Sequence, residues 1–270
     1  MAQKRYQILL TNDDGIGSPG LWAAAEGLAQ IGYVTVTAPR EQHSAFGRAQ
    51  PVTSDGIIVT SQVEVHGKLW TVYSVGGSPA QTVQHAILEI MPQPPDLVVS
   101  GINYGENVGS GVTISGTVGA ALEASSFGIP GLAISLETEM VHHFSHSTEV
   151  DFSTASYFTT FFARQLLEKR MLPDVDVLKV EVPCDATPGT PWVLTRLARN
   201  RYYLPTKPER TALDQPGSLG YEMEPLDMGN VEPGTDVYAL LFERLVSVTP
   251  LSLDLTSRVD PNELDQLLRE

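Results

Sequence analysis

The sequence is poor in cysteine and has no long apolar run. Cys184 is the single cysteine among 270 residues, so no intramolecular disulfide can form. No apolar segment is long enough to cross a membrane, and the N-terminus lacks the apolar stretch of a secretory signal. These absences predict a soluble, cytoplasmic protein that does not act in a membrane.

Basic residues are also scarce. Lysine and arginine number 17 against 32 aspartate and glutamate residues, which gives a formal net charge of −15. A surface of this sign repels the phosphates of nucleic acids, and no basic patch interrupts it, so a duplex-binding role is excluded. A small anionic substrate is still compatible with the charge if a cation offsets the field.

The residues that are present predict an α/β fold. Hydrophobic residues make up 42% of the chain, as in ordinary globular proteins. In the first half, short apolar strands alternate with helical patterns that begin at Ser18, Ser78 and Ser115. The predicted strands are residues 6–12, 33–38, 57–59, 62–65, 69–75, 96–100 and 129–136. Four strand–helix passages in a row indicate a three-layer fold with a mainly parallel sheet.

The second half is richer in proline and turn residues. A helix is predicted over residues 152–171 and a strand over 178–182, and a proline-rich segment follows. Residues 237–249 predict a long strand or a strand pair, and Asp260-Pro261 begins a final short helix. We therefore divide the chain into an α/β core (1–182), an extended β-rich arm (183–250) and a C-terminal helix (251–270).

Two adjacent carboxylates follow the first strand. In ILLTNDDGIGSPG, Asp13 and Asp14 come directly after the apolar residues of the strand. The carboxyl edge of a parallel sheet is where ligands bind. Adjacent like charges are tolerated best with a cation between them, and aspartate oxygens suit magnesium, manganese or calcium. The alternative is a solvated Asp-Asp-Gly turn, which the pair alone fits equally well.

Two further strand ends contribute oxygen atoms. Ser44 lies in the loop after the second strand, and Asn103 follows the strand at residues 96–100. These residues are expected at the same sheet edge as Asp13 and Asp14, where they complete an all-oxygen set suited to a divalent cation. Taken singly, Ser44 is more typical of a loop hydroxyl and Asn103 of a turn residue.

A second group of residues suggests a phosphate site. A glycine-rich loop leads to Ser115-Gly116-Thr117 at a helix start, where free N–H groups, the helix dipole and two hydroxyls favour an anion. No lysine follows the glycine, so the motif is not an ATP-binding Walker loop. The alternative is simple N-capping with glycines that allow close packing.

Histidines offer weaker candidates. His142, His143 and His146 cluster, but no cysteine or carboxylate stands near them at a spacing typical of zinc ligands. A surface or rim role is therefore favoured over a metal role.

Six stretches of the chain together resemble the SurE survival-protein phosphatases. They run in family order over nearly the whole chain: ILLTNDDGIGSPG (8–20), APREQHS (38–44), VGGSPAQTV (75–83), VVSGINYGENVG (98–109), SGTVGAALEA (115–124) and TDVYALLFERLVSVTPL (235–251). Any one of these stretches is a weak signal, whereas the ordered combination is highly specific.

The resemblance implies metal-dependent hydrolysis of phosphomonoesters. The usual substrates of the family are nucleoside monophosphates, and some members also act on short polyphosphate. The resemblance thus predicts a 5′-nucleotidase, with 3′-nucleotidase and exopolyphosphatase activities as additions that the sequence does not decide. One Mg²⁺ or Mn²⁺ per subunit would be held by four residues that match the family's metal ligands, Asp13, Asp14, Ser44 and Asn103. The catalytic residues would be Asp13, Asp14, Asn103 and Ser115, and the substrate- and phosphate-binding residues Asn12, Ser44, Asn107, Ser115, Gly116 and Thr117.

The resemblance also implies a Rossmann-like core and an assembly. In the family, a C-terminal extension is exchanged between subunits, which makes homodimers or homotetramers. Three features depart from the family pattern: Ala45 replaces the usual glycine after the metal-binding serine, Ile114 replaces an aromatic residue, and Ser110 and Gly111 replace acidic residues. The metal set is intact, so these changes bear on substrate preference.

Two other functions compete with this hypothesis. Haloacid-dehalogenase phosphatases also place aspartate after a first strand, but they use Asp-x-Asp and a later lysine, whereas Asp13 and Asp14 are adjacent. A non-catalytic nucleotide-binding module would keep the glycine-rich loop and would not need the metal. Turnover that a chelator abolishes would exclude the second alternative.

Overall fold

The computed structural model describes residues 5–269, and these form eleven strands and six α-helices. The strands are β1 (Tyr6–Thr11), β2 (Gly32–Pro39), β3 (Ile58–Val65), β4 (Lys68–Val75), β5 (Leu97–Tyr104), β6 (Gly131–Leu136), β7 (Val177–Val182), β8 (Trp192–Leu194), β9 (Tyr203–Thr206), β10 (Gly220–Met223) and β11 (Val246–Leu251). The helices are α1 (Pro19–Leu28), α2 (Pro79–His85), α3 (Gly116–Ser126), α4 (Ser153–Glu168), the single turn α5 (Asp236–Tyr238) and α6 (Pro261–Arg269).

Nine of the strands form one sheet in the order β3-β4-β2-β1-β5-β6-β7-β11-β8. The six strands from β4 to β7 run parallel, and antiparallel pairs occur where β3 joins β4 and where β11 joins β7. The predicted α/β class with a mainly parallel sheet is confirmed. Residues 57–59 and 62–65, predicted as two short strands, lie within or beside the single strand β3.

Helices cover both faces of the sheet, which gives three layers. In β1, Ile8 and Leu10 pack with the apolar side chains of α1 and α4, whereas Leu9 packs on the opposite face with those of α2 and α3. All three side chains are fully buried. A strand covered on both faces needs apolar residues at every position, which explains the continuous run in the sequence.

The predicted strand over residues 237–249 is wrong in its first half. Residues 236–243 are helical, α5 passing into a π-helical turn over Ala239–Glu243, and only β11 is extended. Thr235 caps this helix, and Val237 and Leu240 are both fully buried at helical spacing. Short apolar runs fit a helix or a strand equally well, so the sequence pattern did not distinguish them.

The chain after β7 is divided between the main sheet and a smaller one. β8 joins the main sheet beside β11, whereas β9 and β10 pair antiparallel in a separate two-stranded sheet. The final helix begins at Pro261, as predicted. The division into core, arm and C-terminal helix stays a prediction. Across residues 5–269, no helix has both the length and the apolar character needed to span a membrane.

Candidate active site

The loop after β1 presents two buried acidic side chains. Asp13 and Asp14 are only 4% and 2% exposed. The side chain of Asn12 forms the turn that holds them, since its Nδ2 donates to the Gly15 carbonyl at 3.0 Å and its Oδ1 accepts from the Gly15 amide at 3.1 Å. Gly15 has a φ of +91°, which favours glycine. Asn12, predicted to bind substrate, is thus engaged with the backbone of its own turn.

Asp13 lies against the N-terminus of α3. Its Oδ1 accepts a hydrogen bond from Thr117 Oγ1 at 2.5 Å. Burial raises the pKa of Asp13 to about 6, although bonds from the Thr117 side chain and from the Gly116 and Thr117 amides oppose the rise. Asp13 is therefore a carboxylate that the fold keeps out of water and that a nearby cation would stabilise.

Asp14 is held by groups from two other elements. Its Oδ1 accepts from Gln42 Nε2 at 2.9 Å, and its Oδ2 accepts from the Tyr104 amide at 3.3 Å. Burial, followed by the negative charge of Asp13, raises its pKa well above the ordinary value for aspartate. Because both carboxyl groups are buried, the structure argues against the solvated Asp-Asp-Gly turn that the sequence left open.

Asn103 and Ser44 reach the same cleft as Asp13. The cleft has a volume of about 710 Å³ and is bordered by all three residues. Asn103 Nδ2 donates to the carbonyls of Gly105 at 2.7 Å and Tyr104 at 3.2 Å, so its Oδ1 is the side-chain atom suited to ligate a cation. The structure therefore brings residues that are 90 positions apart in the sequence together at one edge of the sheet.

Ser115 caps helix α3 and also borders the cleft. Its Oγ accepts from the Val118 amide at 3.1 Å, as the capping alternative predicts, and this leaves its O–H proton free to donate to a ligand. The Thr117 hydroxyl, by contrast, is fully buried and donates to Asp13. Of the two hydroxyls predicted to bind phosphate, Ser115 faces the cleft and Thr117 fixes Asp13.

Gly116 allows the helix to approach Asp13. A Cβ at this position would lie 2.7 Å from both Cβ and Oδ2 of Asp13. We expect Gly116→Ala to lower the free energy of unfolding by about 1–3 kcal/mol, because the added methyl overpacks a rigid contact. It should also lower kcat/KM more than tenfold, because Asp13 must move.

Gly111→Ala is the matched control for this prediction. Gly111 borders the same cleft, but a Cβ there meets no atom within 4 Å. Urea unfolding and phosphate release should separate the two variants. If both alanine variants had the same stability and the same activity, the close contact between Gly116 and Asp13 would not be needed for either property.

Asn107 is tied to a buried charge cluster below the cleft. Its Nδ2 donates to Ser135 Oγ at 3.0 Å, and its amide donates to Glu181 Oε2 at 2.9 Å. Lys179 Nζ donates to Glu181 at 3.3 Å and to Asp236 at 3.1 Å, and all three charged side chains are fully buried. Asn107 borders the cleft, and its position depends on this cluster.

The residues that form this site lie within a stretch of the chain that matches a known protein family. The family model described as "Survival protein SurE" matches residues 8–204, which include the paired aspartates, Ser44, Asn103 and the start of α3. The chain belongs to the SurE family.

Curated SurE relatives align along nearly the whole chain. The protein called 5′-nucleotidase SurE from Thermococcus gammatolerans is 45% identical over 97% of this chain and 96% of its own length. Its counterpart from Thermococcus kodakarensis is 43% identical over 97% and 98%. The solved structure of the SurE protein from Aquifex aeolicus is 29% identical, covers 97% of this chain and 99% of its own, and superposes with a TM-score of 0.74.

One departure from the SurE pattern lies at a residue with an unusual backbone conformation. Ala45, next to Ser44, has a φ of +61°, in the left-handed region that favours glycine. An alanine there costs about 1 kcal/mol relative to an unstrained conformation. The loop thus keeps a glycine-like conformation without the glycine, which holds Ser44 at the cleft.

Part of the wall of the SurE cleft was missed in the sequence. It includes Tyr203 from β9 and Tyr221 from β10, together with Phe144 and Arg201, and His143, for which the sequence favoured a surface or rim role, also borders the cleft. These residues lie in or next to segments that carry no recognisable motif. The aromatic residues within a proline-rich stretch were the only available signal, and such residues are common in any core.

Two other groups in this SurE-family chain do not form a metal site. Glu137, Cys184 and Asp185 approach one another, but the Arg244 guanidinium lies between the two carboxylates and bonds to both. The clustered histidines also diverge: His143 Nδ1 pairs with the Tyr221 hydroxyl at 2.9 Å, whereas His146 Nε2 pairs with the Asp14 carbonyl at 2.7 Å.

Proposed function

We propose that this chain is a 5′-nucleotidase that requires a divalent cation and hydrolyses nucleoside 5′-monophosphates to nucleosides and phosphate. Its membership of the SurE family makes it an enzyme, a phosphoric monoester hydrolase. The observation that carries the proposal is a pair of adjacent buried acids, of which Asp13 packs against the N-terminus of α3 and borders the cleft. The names of the curated relatives support the choice of substrate.

The residues present fit a divalent cation. Asp13 and Asp14 are two buried acids with raised pKa values, and Ser44 and Asn103 add neutral oxygen atoms at the same edge. Hard cations such as Mg²⁺ and Mn²⁺ prefer this kind of all-oxygen set. When bound, such a cation polarises a phosphate oxygen and lowers the pKa of a bound water.

The start of α3 would hold the phosphoryl group. The Ser115 O–H is a donor for a non-bridging oxygen, and the dipole of α3 favours negative charge at its N-terminus, although the first amides of the helix bond to Asp13 and to Ser115 itself. Ser115 is fixed before substrate arrives, so it would stabilise the negative charge of the transition state without reorganisation. Thr117 keeps Asp13 in place beside this end of the helix.

The proposal extends to related phosphate substrates. The assigned groups would bind the phosphoryl group, which all these substrates share, so we expect hydrolysis of nucleoside 3′-monophosphates and of short polyphosphate as well, at lower rates than that of 5′-monophosphates. Assembly as a homodimer or homotetramer and location in the cytoplasm stay predictions from the sequence.

The test is phosphate release from a panel of substrates. Nucleoside 5′- and 3′-monophosphates and short polyphosphate would be assayed with Mg²⁺, with Mn²⁺ and with a chelator. We expect release to be fastest from 5′-monophosphates and to disappear with the chelator. Nucleotide binding without phosphate release would instead support a non-catalytic nucleotide-binding module, and release that the chelator does not change would contradict the metal assignment.

A further inference from the structure

The side-chain amide of Gln42 lies between two oxygen atoms from different parts of the chain. Gln42 follows β2, and its Nε2 donates to Asp14 Oδ1 at 2.9 Å and to the His143 carbonyl at 2.8 Å. Both partners are acceptors, so only the NH₂ end of the amide fits between them. The half-buried side chain of Gln42 therefore connects the acidic turn after β1 to the loop after β6.

The same two loops also hold the main chain of the acidic turn. The His43 amide, next to Gln42 in the sequence, donates to the Asp13 carbonyl at 2.7 Å. His146 Nε2 lies 2.7 Å from the Asp14 carbonyl, and since a carbonyl only accepts, this ring nitrogen is the donor. These two bonds fix the backbone of the turn, whereas Gln42 reaches the carboxyl group of Asp14 itself.

Each oxygen of the Asp14 carboxyl group has its own N–H donor. Oδ1 accepts from Gln42, and Oδ2 accepts from the Tyr104 amide at the longer distance of 3.3 Å. The two bonds fix the plane of the carboxyl group and leave each oxygen a second lone pair for a cation. Because Asp14 is only 2% exposed, water would not easily replace a lost donor.

We propose that Gln42 is a positioning residue that holds the Asp14 carboxyl group in the orientation needed to ligate a divalent cation. The inference rests on the proposed function, in which Asp14 is one of the ligands. Partners of metal ligands typically contribute about 10- to 100-fold to metal affinity or activity. Gln42 lies outside the set of described residues that line the cleft, so its loss should change cation binding and not substrate binding.

Mn²⁺ binding tests this role without turnover. Wild type, Gln42→Met and Gln42→Asn would be titrated with Mn²⁺ by calorimetry in the absence of substrate. Methionine has a similar length but no N–H donor, and asparagine keeps the amide on a shorter side chain, so both variants lose the bond to Asp14. We expect the Kd for Mn²⁺ to rise about tenfold in both.

Phosphate release from adenosine 5′-monophosphate gives a second measurement. The Mn²⁺ concentration at half-maximal release should rise in the Gln42 variants by the same factor as the Kd. The KM for the nucleotide at saturating Mn²⁺ should stay unchanged. A variant that raised this KM and kept the wild-type Kd for Mn²⁺ would place Gln42 in substrate binding and overturn the proposal.

Gln84→Met is the matched control. Gln84 Nε2 donates to Glu123 Oε1 at 2.9 Å, so this variant also removes an amide bond to a buried carboxyl group. Among the described residues, neither Gln84 nor Glu123 lines the cleft. Thermal unfolding with a chelator would confirm that all variants fold, and only the Gln42 variants should change the Kd for Mn²⁺. An equal rise in Gln84→Met would show general loosening and would contradict a positioning role.

The outcomes distinguish this inference from the proposed function. If wild type binds Mn²⁺ and releases phosphate, and the Gln42 variants bind Mn²⁺ with the wild-type Kd, the positioning role is wrong and the proposed function stands. If wild type neither binds Mn²⁺ nor releases phosphate from the nucleotide, the proposed function fails and the inference fails with it. If Gln42→Met does not fold, Gln42→Asn decides by the same criterion.

Discussion

Replacing Asp13 with asparagine is expected to lower kcat/KM for a nucleoside 5′-monophosphate by about 10³-fold. Asparagine has the same shape and its Oδ1 still accepts from Thr117, so the fold around the start of α3 is kept. The change removes one of two anionic ligands proposed for the cation. Loss of about 4 kcal/mol of transition-state stabilisation corresponds to 10³-fold, within the several kcal/mol that a catalytic cation contributes.

The same variant should be more stable than wild type when no metal is bound. The pKa of Asp13 rises from 3.8 to about 6 on folding, so the folded state binds the proton more tightly than the unfolded state. This favours folding below pH 4, and the advantage is lost as pH rises through 6. At pH 7.5 the ionised acid then costs about 3 kcal/mol of unfolding free energy, which asparagine avoids.

Thermal unfolding at pH 5 and pH 7.5, with a chelator or with Mn²⁺, checks this account. The Tm of metal-free wild type should fall between the two pH values more than that of Asp13→Asn, and Mn²⁺ should raise the Tm of wild type only. Asp227→Asn is the control, because Asp227 lies exposed in a distant turn. A fully active Asp13→Asn enzyme, or an equal response of both proteins to Mn²⁺, would overturn the metal site.

Lys179→Met is expected to lower the free energy of unfolding by about 3–5 kcal/mol. Lys179 is fully buried between Glu181 and Asp236, and methionine fills a similar volume without the charge. Removing one member of a buried charge cluster leaves the others uncompensated. The amides of Asn107 and Gly109 donate to Glu181 and Asp236, so a disturbed cluster should shift the loop that carries them, and activity should fall as well.

Urea unfolding as a function of pH would show why Lys179→Met lowers the free energy of unfolding. Burial raises the pKa of Glu181 to about 7 even though the charge of Lys179 opposes the rise. Without Lys179 the pKa should rise further. Between pH 4.5 and 7 the folded state holds this proton in both proteins, so the deficit of Lys179→Met should stay level there. It should grow as pH rises above about 7, where only the folded variant still holds the proton that the unfolded state has released.

Lys207→Met serves as the control, since Lys207 is exposed and its loss should change stability by less than about 0.5 kcal/mol. A loss in Lys179→Met as small as in the control would show that the buried cluster contributes little. A large loss that does not vary with pH would assign it to packing instead of charge.

The sheet and the acidic end of the cleft were predictable from local sequence. Apolar runs such as Ile8 to Leu10 indicate buried parallel strands, and residues that follow such strands meet at one edge whatever their separation in the chain. Asp13, Ser44 and Asn103 were assigned to one site for that reason, and the structure places all three at the same cleft. The individual contacts were not predictable: Asn12 bonds within its own turn, and Thr117 binds Asp13.

The sequence by itself determined the α/β class, the main parallel strands and the oxygen-rich sheet edge, because each depends on periodicity and strand ends that neighbouring residues encode. Only the tertiary structure decided that residues 236–243 are helical, that Tyr203 and Tyr221 line the same cleft as Asp13, and that Lys179 is buried between two carboxylates. These features depend on contacts between segments far apart in the chain, and such contacts leave no periodic pattern in either segment.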